Sequence, residues 1–516
     1  MPVVSSVSSA VLSDNSKTSR RGLHIASLGF NRAGILLILT IIMIPAVTRV
    51  SADKTKPPPP PPSTGTSWIK AYDLPYTYNV GEGVAQASSG GFLIGGLCTG
   101  GAVTTPSCSG PVSEPTATVM RVDSSGDIQS QTQYVYKSSP GTTRLGLIRA
   151  TSDGGSIFTG NEQFGCPATG QTSCALIVKV DSNGNVQFAN DLQFSTSCSA
   201  GPLTWPFDLQ QTTDGGYVVA GYAYAPTCAY NPFVAKLSST GQLQWQHLFV
   251  DPTSQYGAAL SVRQTPDGGY IVGGELDYYV SASYTASDIL VFKLDPTGTL
   301  VWQHDYSIGT DAYAASLALT ADGGFIVSGS VSISSGTSYS SSVLLLKLDS
   351  TGHTQFAKTY LPSGSISQLT VTGAQQTNDG GYAFAGYYFQ NTIYDQRAWL
   401  VKTDSAGNEQ WDKIYGPDVQ YSERTFLSFQ QTSDGGFVAV GSTNQYNSGY
   451  TSLWVVKTDS NGNISGCTDV KNASDTSSSI AVTVSNTALA TAKDTVSYLA
   501  ESLTSFAGTL TATKEC

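Results

Sequence analysis

Asp267-Gly-Gly-Tyr-Ile-Val-Gly-Gly274, followed by Lys293-Leu-Asp-Pro-Thr-Gly298-Thr-Leu-Val-Trp302, is the stretch that decides the fold. Asp before Gly-Gly favours a tight hairpin turn that needs positive φ, and Asp-x-x-Gly favours a turn that the Asp side chain caps. Runs rich in β-branched and aromatic residues flank both turns, which predicts strands. The stretch therefore predicts four antiparallel strands, at residues 260–265, 270–274, 289–294 and 300–306.

The same two turns recur along the chain every 53 to 64 residues. The first motif occurs at Asp153, Asp214, Asp267, Asp322, Asp379 and Asp434, and in a degenerate form at Ser89-Gly90-Gly91. The second motif begins at Arg121, Lys179, Lys236, Lys293, Lys347, Lys402 and Lys457. A fixed period of this length indicates an array of equivalent units, and four-stranded units are the blades of a propeller. The sequence predicts an all-β, seven-bladed β-propeller of four-stranded antiparallel blades over residues 67–466.

The last repeat lacks a fourth strand, because the chain leaves the repeat soon after Gly462. A matching segment, Trp68-Ile-Lys-Ala-Tyr72, precedes the first repeat. We expect residues 67–73 to complete the seventh blade and to close the ring.

Both ends of the chain lie outside the repeat. Residues 1–52 place basic residues ahead of an apolar run at 33–47, which is typical of an export signal peptide or of an uncleaved N-terminal transmembrane anchor. Residues 53–66 form a Pro-rich linker with six consecutive prolines, which favours a stiff polyproline II segment. Residues 467–516 form a small extension with strand-like alternation at 480–485 and a weak helical pattern at 491–506, and we expect it to cap the last blade.

Cysteine usage agrees with export. The eight cysteines fall into local pairs, which predicts the disulfides Cys98/Cys108, Cys166/Cys174, Cys198/Cys228 and Cys467/Cys516. We therefore expect an extracellular or cell-surface protein whose C-terminal extension is tethered by a disulfide.

Composition argues against several functions. The net charge of −11 provides no basic field for nucleic acid. Three histidines follow the N-terminal signal, and their spacing suggests neither a metal site nor a Ser-His-Asp set. We predict no cofactor and no metal. Paired carboxylates, Glu275/Asp277 or Asp418/Glu423, leave a glycosidase open.

Long connections should gather on one face of the propeller, opposite the tight turns. Tyr is favoured at recognition surfaces because it offers rigid amphipathic area at little entropic cost, although β-rich exported proteins also use Tyr on wet surfaces. We expect a monomer that binds a surface glycan, peptide or protein through this face. The candidate binding residues are Tyr222, Tyr224, Tyr278, Tyr279, Tyr284, Tyr387, Tyr388, Tyr394, Tyr446 and Tyr450.

Two further patterns predict structural roles. Polar residues of the innermost strands suggest a water-filled axial channel rather than a ligand site. They are Gln86, Arg149, Gln210, Arg263, Gln375 and Gln430. The Lys or Arg of each second motif precedes an Asp or Ser by two residues, and we expect these neighbours to form ion pairs.

The combined pattern DGG(Y/F)-x-V-x-G and K-(L/T/V)-D-S-x-G-x-x-x-W resembles the DGGY-type propeller repeats of exported bacterial and archaeal proteins over about 400 residues. That resemblance implies a location more than an activity. The D-x-x-G-x-x-x-W part is also similar to the repeats of quinoprotein dehydrogenases, but their adjacent-cysteine pair is absent here. The sequence thus predicts a non-catalytic binding scaffold; the alternative is a carbohydrate-active or quinoprotein-like propeller enzyme.

Overall fold

A computed structural model describes most of the chain from residue 66 onward. The described ranges are 66–73, 78–87, 90–99, 116–136, 143–163, 173–194, 203–224, 229–251, 254–281, 284–335, 338–447, 450–473, 475–485, 490–492, 496–500, 503–507 and 511–514. The predicted signal or anchor and almost all of the linker lie outside these ranges. Within them the secondary structure is β-strand throughout, so no helix there is long and apolar enough to cross a membrane.

The strands follow the predicted order in four-stranded antiparallel sets, which we number along the chain. Sets one to three comprise β2 Tyr78–Gln86, β3 Phe92–Thr99, β4 Thr116–Val122, β5 Ile128–Tyr136; β6 Thr143–Ala150, β7 Ser156–Gln163, β8 Ser173–Val180, β9 Val186–Phe194; and β10 Thr204–Gln211, β11 Tyr217–Tyr224, β12 Tyr230–Leu237, β13 Leu243–Val250. Sets four to six comprise β14 Ser254–Gln264, β15 Tyr270–Ser281, β16 Tyr284–Leu294, β17 Leu300–Ser307; β18 Asp311–Leu319, β19 Phe325–Ser335, β20 Ser338–Leu348, β21 Thr354–Pro362; and β22 Ile366–Gln376, β23 Tyr382–Gln390, β24 Asp395–Thr403, β25 Glu409–Tyr415. A parallel pair, Tyr230 with Tyr256, joins sets three and four into one sheet.

Set seven combines strands from both ends of the repeat region. Its members are β26 Ser428–Gln431, β27 Phe437–Asn447, β28 Tyr450–Thr458 and β1 Trp68–Asp73. β1 pairs antiparallel with β28 from Trp68 opposite Lys457 to Tyr72 opposite Leu453. The segment before the first repeat therefore takes the position of the fourth strand in this set.

The C-terminal extension adds a fifth, outermost strand to every set. Its strands are β29 Val470–Asn472, β30 Asp475–Ser479, β31 Thr483–Ser485, β32 Ala490–Ala492, β33 Val496–Ala500, β34 Leu503–Ala507 and β35 Thr511–Lys514. They pair antiparallel with sets six, five, four, three, two, one and seven, in that order. We call this segment the tail belt. The predicted helical pattern over 491–506 was wrong, because the free edges of the outer strands offer backbone partners to an extended chain. The extension does cover the last set, through β35, and it also covers the six other sets.

Aromatic packing links each set to the next. The Trp or Phe of a fourth strand packs at a steep angle against the aromatic residue after the DGG turn of the following set, with ring centroids 5.5–6.3 Å apart and interplanar angles of 49–77°. The pairs are Trp68–Phe92, Phe188–Tyr217, Trp245–Tyr270, Trp302–Phe325, Phe356–Tyr382 and Trp411–Phe437. Between sets one and two, where Ser156 replaces the aromatic residue, Tyr134 packs on Phe158 instead.

The repeated lysines have other partners than predicted. Each pairs with the Asp of the DGG turn in its own set, at 2.8–2.9 Å, and not with the residue two positions on. The pairs are Lys179–Asp153, Lys236–Asp214, Lys293–Asp267, Lys347–Asp322, Lys402–Asp379 and Lys457–Asp434. In set five, for example, the Asp of the second motif, Asp349, accepts hydrogen bonds from the backbone of its own turn, at Thr351 and His353. Because the carboxylate of Asp349 accepts hydrogen bonds within its own turn, Lys347 pairs with Asp322 of the DGG turn instead.

Candidate functional site

Most of the predicted binding tyrosines lie on strand ends rather than in loops. Tyr388 is buried at 2% exposure in the core between sets five and six, so its prediction as a binding residue was wrong. Tyr222, Tyr224, Tyr278, Tyr387 and Tyr450 are partly buried on their strands. The side chains of Tyr279, Tyr284 and Tyr446 lie outside the described part of the structure. Among the predicted tyrosines whose side chains the structure describes, Tyr394 is the most available to a ligand, at 55% exposure.

Several of these tyrosines form a cluster at the junction of sets three and four. Tyr222 packs against Tyr230, Tyr256 and Phe207, and Tyr224 packs against Tyr230, with ring centroids 5.1–5.7 Å apart. Their ring faces are occupied by one another, so the cluster is better placed to pack the two sets together than to receive a ligand.

Two carboxylates near this cluster lie in surroundings that raise their pKa values. Burial, and then the charge of Asp277, raise the pKa of Glu275 to about 7. Burial also raises the pKa of Asp277, and the charge of Asp311 adds to the shift, while a hydrogen bond from the Ser287 hydroxyl opposes it. A carboxyl that is half protonated near neutral pH can donate a proton, which is the role of a general acid.

The predicted channel residues hold neighbouring sets together. Asp208, 3% exposed, pairs with Arg149 of set two at 3.1 Å and with Arg263 of set four. Burial alone would raise the pKa of Asp208, but the charges of Arg263 and Arg149 outweigh it and lower the pKa. This triad spans three consecutive sets, which supports a structural role.

Glutamine side chains bridge the backbones of adjacent sets in the same region. The side-chain oxygen of Gln210 accepts a hydrogen bond from the backbone N–H of Gln264 in set four at 2.7 Å. The side-chain oxygen of Gln430 accepts one from the backbone N–H of Gln86 in set one at 2.9 Å. Gln375 is partly buried, and the water content of the channel stays a prediction.

Gln86 was assigned one position out of register. It lies opposite Phe92, as Gln211 lies opposite Tyr217, so the equivalent of Gln210 in set one is Ala85. Ala87, and not Ser88, stands where the other sets have Thr, and this substitution hid the alignment. Gln86 belongs to a second ring of glutamines, which sequence reasoning missed. The side-chain oxygen of each accepts a hydrogen bond from a backbone N–H in a turn of the preceding set. The donor and acceptor pairs are Ser152 to Gln211, Thr213 to Gln264, Ala321 to Gln376, Asn378 to Gln431 and Ser433 to Gln86.

Among the described residues, the most exposed aromatic surface lies between sets six and seven, on the face opposite the tight turns. Tyr394 ends the four-residue connection between β23 and β24, and Tyr421 lies in the connection between β25 and β26. Their rings stack with centroids 6.0 Å apart and an interplanar angle of 22°. They are 55% and 68% exposed, and Val419 beside them is 41% exposed. We call Tyr394 and Tyr421 the stacked pair.

Both residues of the stacked pair have left-handed backbones. Their φ angles are 51° and 61°, and the only other described non-glycine residue with positive φ is Gln368. Such a conformation costs about 1–3 kcal/mol and persists only where the surroundings enforce it. The Tyr421 amide donates to the Tyr394 carbonyl at 3.0 Å, and the Asn444 side chain donates to the Tyr421 carbonyl at 3.1 Å. The pair is therefore held in place before any ligand arrives.

A buried ionic network fixes the connection that carries Tyr421. Asp395, fully buried, accepts from the Ser422 hydroxyl and pairs with Arg397 at 3.0 Å and Arg424 at 3.8 Å. Arg397 also pairs with Asp418 at 2.9 Å. The predicted acid/base pair Asp418/Glu423 is divided by this network: Asp418 is engaged in ion pairs, and Glu423 is exposed.

The tail belt reaches this network as well. Lys471 of β29 pairs with Asp418 at 2.6 Å, and that hydrogen bond is the main reason why the pKa of Asp418 lies below its ordinary value. Sequence reasoning missed Tyr421. The available signal was an aromatic residue flanked by polar residues in a long connection between two repeats.

Two cysteines of the described residues, Cys174 and Cys467, are disulfide-bonded. The cysteines predicted as their partners, Cys166 and Cys516, lie outside the described residues, as do Cys108, Cys198 and Cys228 and the side chain of Cys98. The four pairings stay predictions.

No family model and no curated protein matches this chain. Among solved structures, it is similar to an α-L-arabinofuranosidase from Fusarium graminearum at 9% identity and a TM-score of 0.38, covering 76% of this chain and 97% of that one. It is also similar to a protein of unknown function from Bacteroides caccae at 10% identity and a TM-score of 0.31, covering 65% and 93%. A xylan β-1,4-xylosidase from Bacillus halodurans matches at 9% identity and a TM-score of 0.24, covering 80% and 99%. Similarities this weak carry no argument about function.

Proposed function

We propose that the seven sets are the blades of one closed propeller. The first strand of each set contacts the first strand of the next, and β2 of set one contacts β26 of set seven. The glutamine bridge from Ser433 to Gln86 crosses that last junction as it does four others. Tyr72 of β1 donates to the Gly126 carbonyl at 2.7 Å, as Tyr306 donates to Gly352 between sets four and five. The junction between the first and last sets thus uses the same contacts as the internal ones.

We propose that this propeller is an exported binding module that recognises a glycan through the stacked pair. The single observation that carries the proposal is two stacked, solvent-exposed tyrosines held in strained backbone conformations. An aromatic face is electron-rich and attracts the polarised C–H groups on one side of a sugar ring. Exposed aromatic area of this kind marks an interaction site when it is grouped rather than scattered.

The polar surroundings of the stacked pair also suit a sugar. The side chains of Asn444 and Gln445, and the exposed Glu423, lie around the connection that carries Tyr421. Amide and carboxylate groups beside an aromatic platform can hydrogen-bond the hydroxyls of a sugar whose apolar side rests on the rings. An exported location agrees with the disulfide bonds at Cys174 and Cys467.

The test is a screen of residues 53–516 against a glycan array and a panel of surface proteins. Tyr394→Ala and Tyr421→Ala should each lose the glycan signals, whereas Tyr313→Ala, which removes another exposed tyrosine, should keep them. Binding to proteins alone, or glycan binding that survives both changes, would contradict the proposal.

A second candidate function rests on Glu275 and Asp277. The two residues alternate along β15 and therefore share one face, with backbone positions about 7 Å apart. The charge of Asp277 acts on Glu275, so the two carboxyl groups are near enough to serve as a pair at one glycosidic bond. Their raised pKa values suit a glycosidase. Hydrolysis of plant or bacterial polysaccharides that Glu275→Gln abolishes, with a pH profile falling above about pH 7 in the wild type, would establish this activity. Absence of hydrolysis would leave the binding function alone.

A further inference from the structure

The junction between sets one and two departs from the repeat at several positions. Ser89 stands where the other six sets have Asp, and Arg121 stands where they have Lys. Ala150 replaces the bridging glutamine, and Ser156 replaces the aromatic residue after the DGG turn. The residues that repeat have structural roles. Where four of them change together, the local residues are free to take a different role, such as binding a ligand.

A cavity of about 640 Å³ opens at this junction, on the face formed by the tight turns. The cavity extends to set seven, which contributes Gln430 and Ser433. The rest of its polar lining comes from Gln86, Arg121, Thr151, Ser152 and Ser182, together with the backbone of Gly154. The small side chains of Ala87 and Ala150 also line it, and they leave the space that Thr and Gln fill in most of the other sets.

Arg121 brings a positive charge into this cavity. In each of the other six sets the equivalent lysine is neutralised by the DGG Asp, but Ser89 has no carboxylate to offer. Asp153 of the adjacent turn is already paired with Lys179. Among the residues that the structure describes, none forms an ion pair with Arg121, whose Nη2 donates to the Gly154 carbonyl at 2.8 Å.

We propose that this cavity binds a monovalent carboxylate, such as that of an acidic sugar. The planar guanidinium fork matches a carboxylate with two parallel hydrogen bonds, and the serine hydroxyls can donate to the rest of the ligand. A single arginine that has no ion-pair partner among the described residues, in a protein of net charge −11, suits a singly charged group better than a polyanion. The site lies on the face opposite the stacked pair and is independent of the glycan proposal.

The experiment titrates the full chain with sodium glucuronate, glucose and inorganic phosphate and follows the melting temperature, which rises when a ligand binds the folded state. We expect glucuronate to raise it and glucose to have no effect. Ser89→Asp, which restores the repeat and supplies an internal carboxylate, and Arg121→Met should each weaken glucuronate binding at least about tenfold.

Ser89→Asp serves as the folded control, because six other sets carry Asp at this position. Glucuronate binding that is equal in the wild type and in both variants would overturn the proposal, as would no response of the wild type to glucuronate. Stabilisation by phosphate and not by glucuronate would overturn the assignment to a carboxylate.

Discussion

The two glycines of each DGG turn are required for different physical reasons. In set three, Gly215 has a φ of 79°, where a side chain is strained. A Cβ on Gly216 would lie 2.3 Å from the Leu237 carbonyl oxygen and 2.4 Å from Lys236 Nζ. The second glycine therefore makes room for the lysine that reaches the turn. The lysine donates both to Asp214 and to the Leu237 carbonyl, which ties the first and second motifs of a set together.

At this scale we predict that Asp322→Ala destabilises the protein. Lys347 is 2% exposed, and without Asp322 its ammonium would keep the hydrogen bond to the Leu348 carbonyl but lose the carboxylate. Loss of the charged partner of a buried donor costs about 1–3 kcal/mol of unfolding free energy. Urea denaturation measures the loss, with the exposed Glu423→Ala as control; equal stability of the two variants would refute the structural role.

The same carboxylates set the stability at acid pH. Burial would raise the pKa of Asp153, but hydrogen bonds from Lys179, Thr151 and Gly155 outweigh it and lower the pKa to about 2. Asp214, Asp267 and Asp322 also have pKa values of about 2. Their unfolded value is about 3.9, so the unfolded chain binds more protons between these limits.

We therefore expect stability to fall as the pH drops from about 5 toward 2. Each contribution is small, because these carboxylates are 45–65% exposed and water screens their ion pairs. Urea unfolding midpoints across this interval would show the decline. A flat profile would mean that the repeated pairs contribute nothing.

At the scale of elements, β1 carries the contacts of a fourth strand. Trp68, Ile69 and Tyr72 are at most 2% exposed. Lys70 pairs with Asp127 of set one at 2.6 Å. Deleting residues 66–73 should lower the melting temperature by well over 10 °C, or about 3 kcal/mol and more, because it removes several buried large side chains. Unchanged melting would contradict a role for β1 in joining the first and last sets.

The tail belt covers the outer edge of every set. An uncovered strand edge presents unpaired N–H and C=O groups that pair readily with another chain. Ending the chain after residue 468 should therefore leave a folded protein that aggregates on heating. Light scattering during a thermal ramp distinguishes this outcome from that of the full chain. An equally soluble truncated protein would show that the belt has no protective role.

Strand and turn positions could be predicted because each repeat contains the turn motifs and the flanking β-forming residues in one short stretch of sequence. The belt could not, because its strands are three to five residues long and obtain their conformation from the edges they meet. The lysine partners were missed for a related reason: the residue two positions away is near in sequence, whereas the DGG Asp is brought close only by the hairpin. Tyr421 was missed because its significance depends on Tyr394, on a different connection.

At the scale of the whole molecule, the tail belt contacts β1, the strand that joins the first and last sets. β35 pairs with β1 at Lys70 opposite Lys514, and the Ser465 amide donates to the Ser67 hydroxyl at 3.0 Å. The belt therefore begins and ends beside the junction of the first and last sets. A disulfide from Cys467 to Cys516, as the sequence predicts, would close it into a covalent hoop.

The face that carries the tight turns and the opposite face differ in the residues that they expose. The tight-turn face carries the repeated residues and departs from them most at the junction of sets one and two, whereas the opposite face carries the stacked pair on two connections that do not repeat. We propose that the repeated residues build the scaffold and that the stacked pair binds the glycan.

The most direct measurement is a calorimetric titration of the oligosaccharide that binds most strongly on the array. Wild type, the Tyr394→Ala/Tyr421→Ala double variant and Tyr313→Ala are compared after each has shown wild-type melting. We predict that the double variant loses at least about tenfold in affinity and that Tyr313→Ala matches the wild type. Equal affinity of the folded double variant and the wild type would contradict the claim.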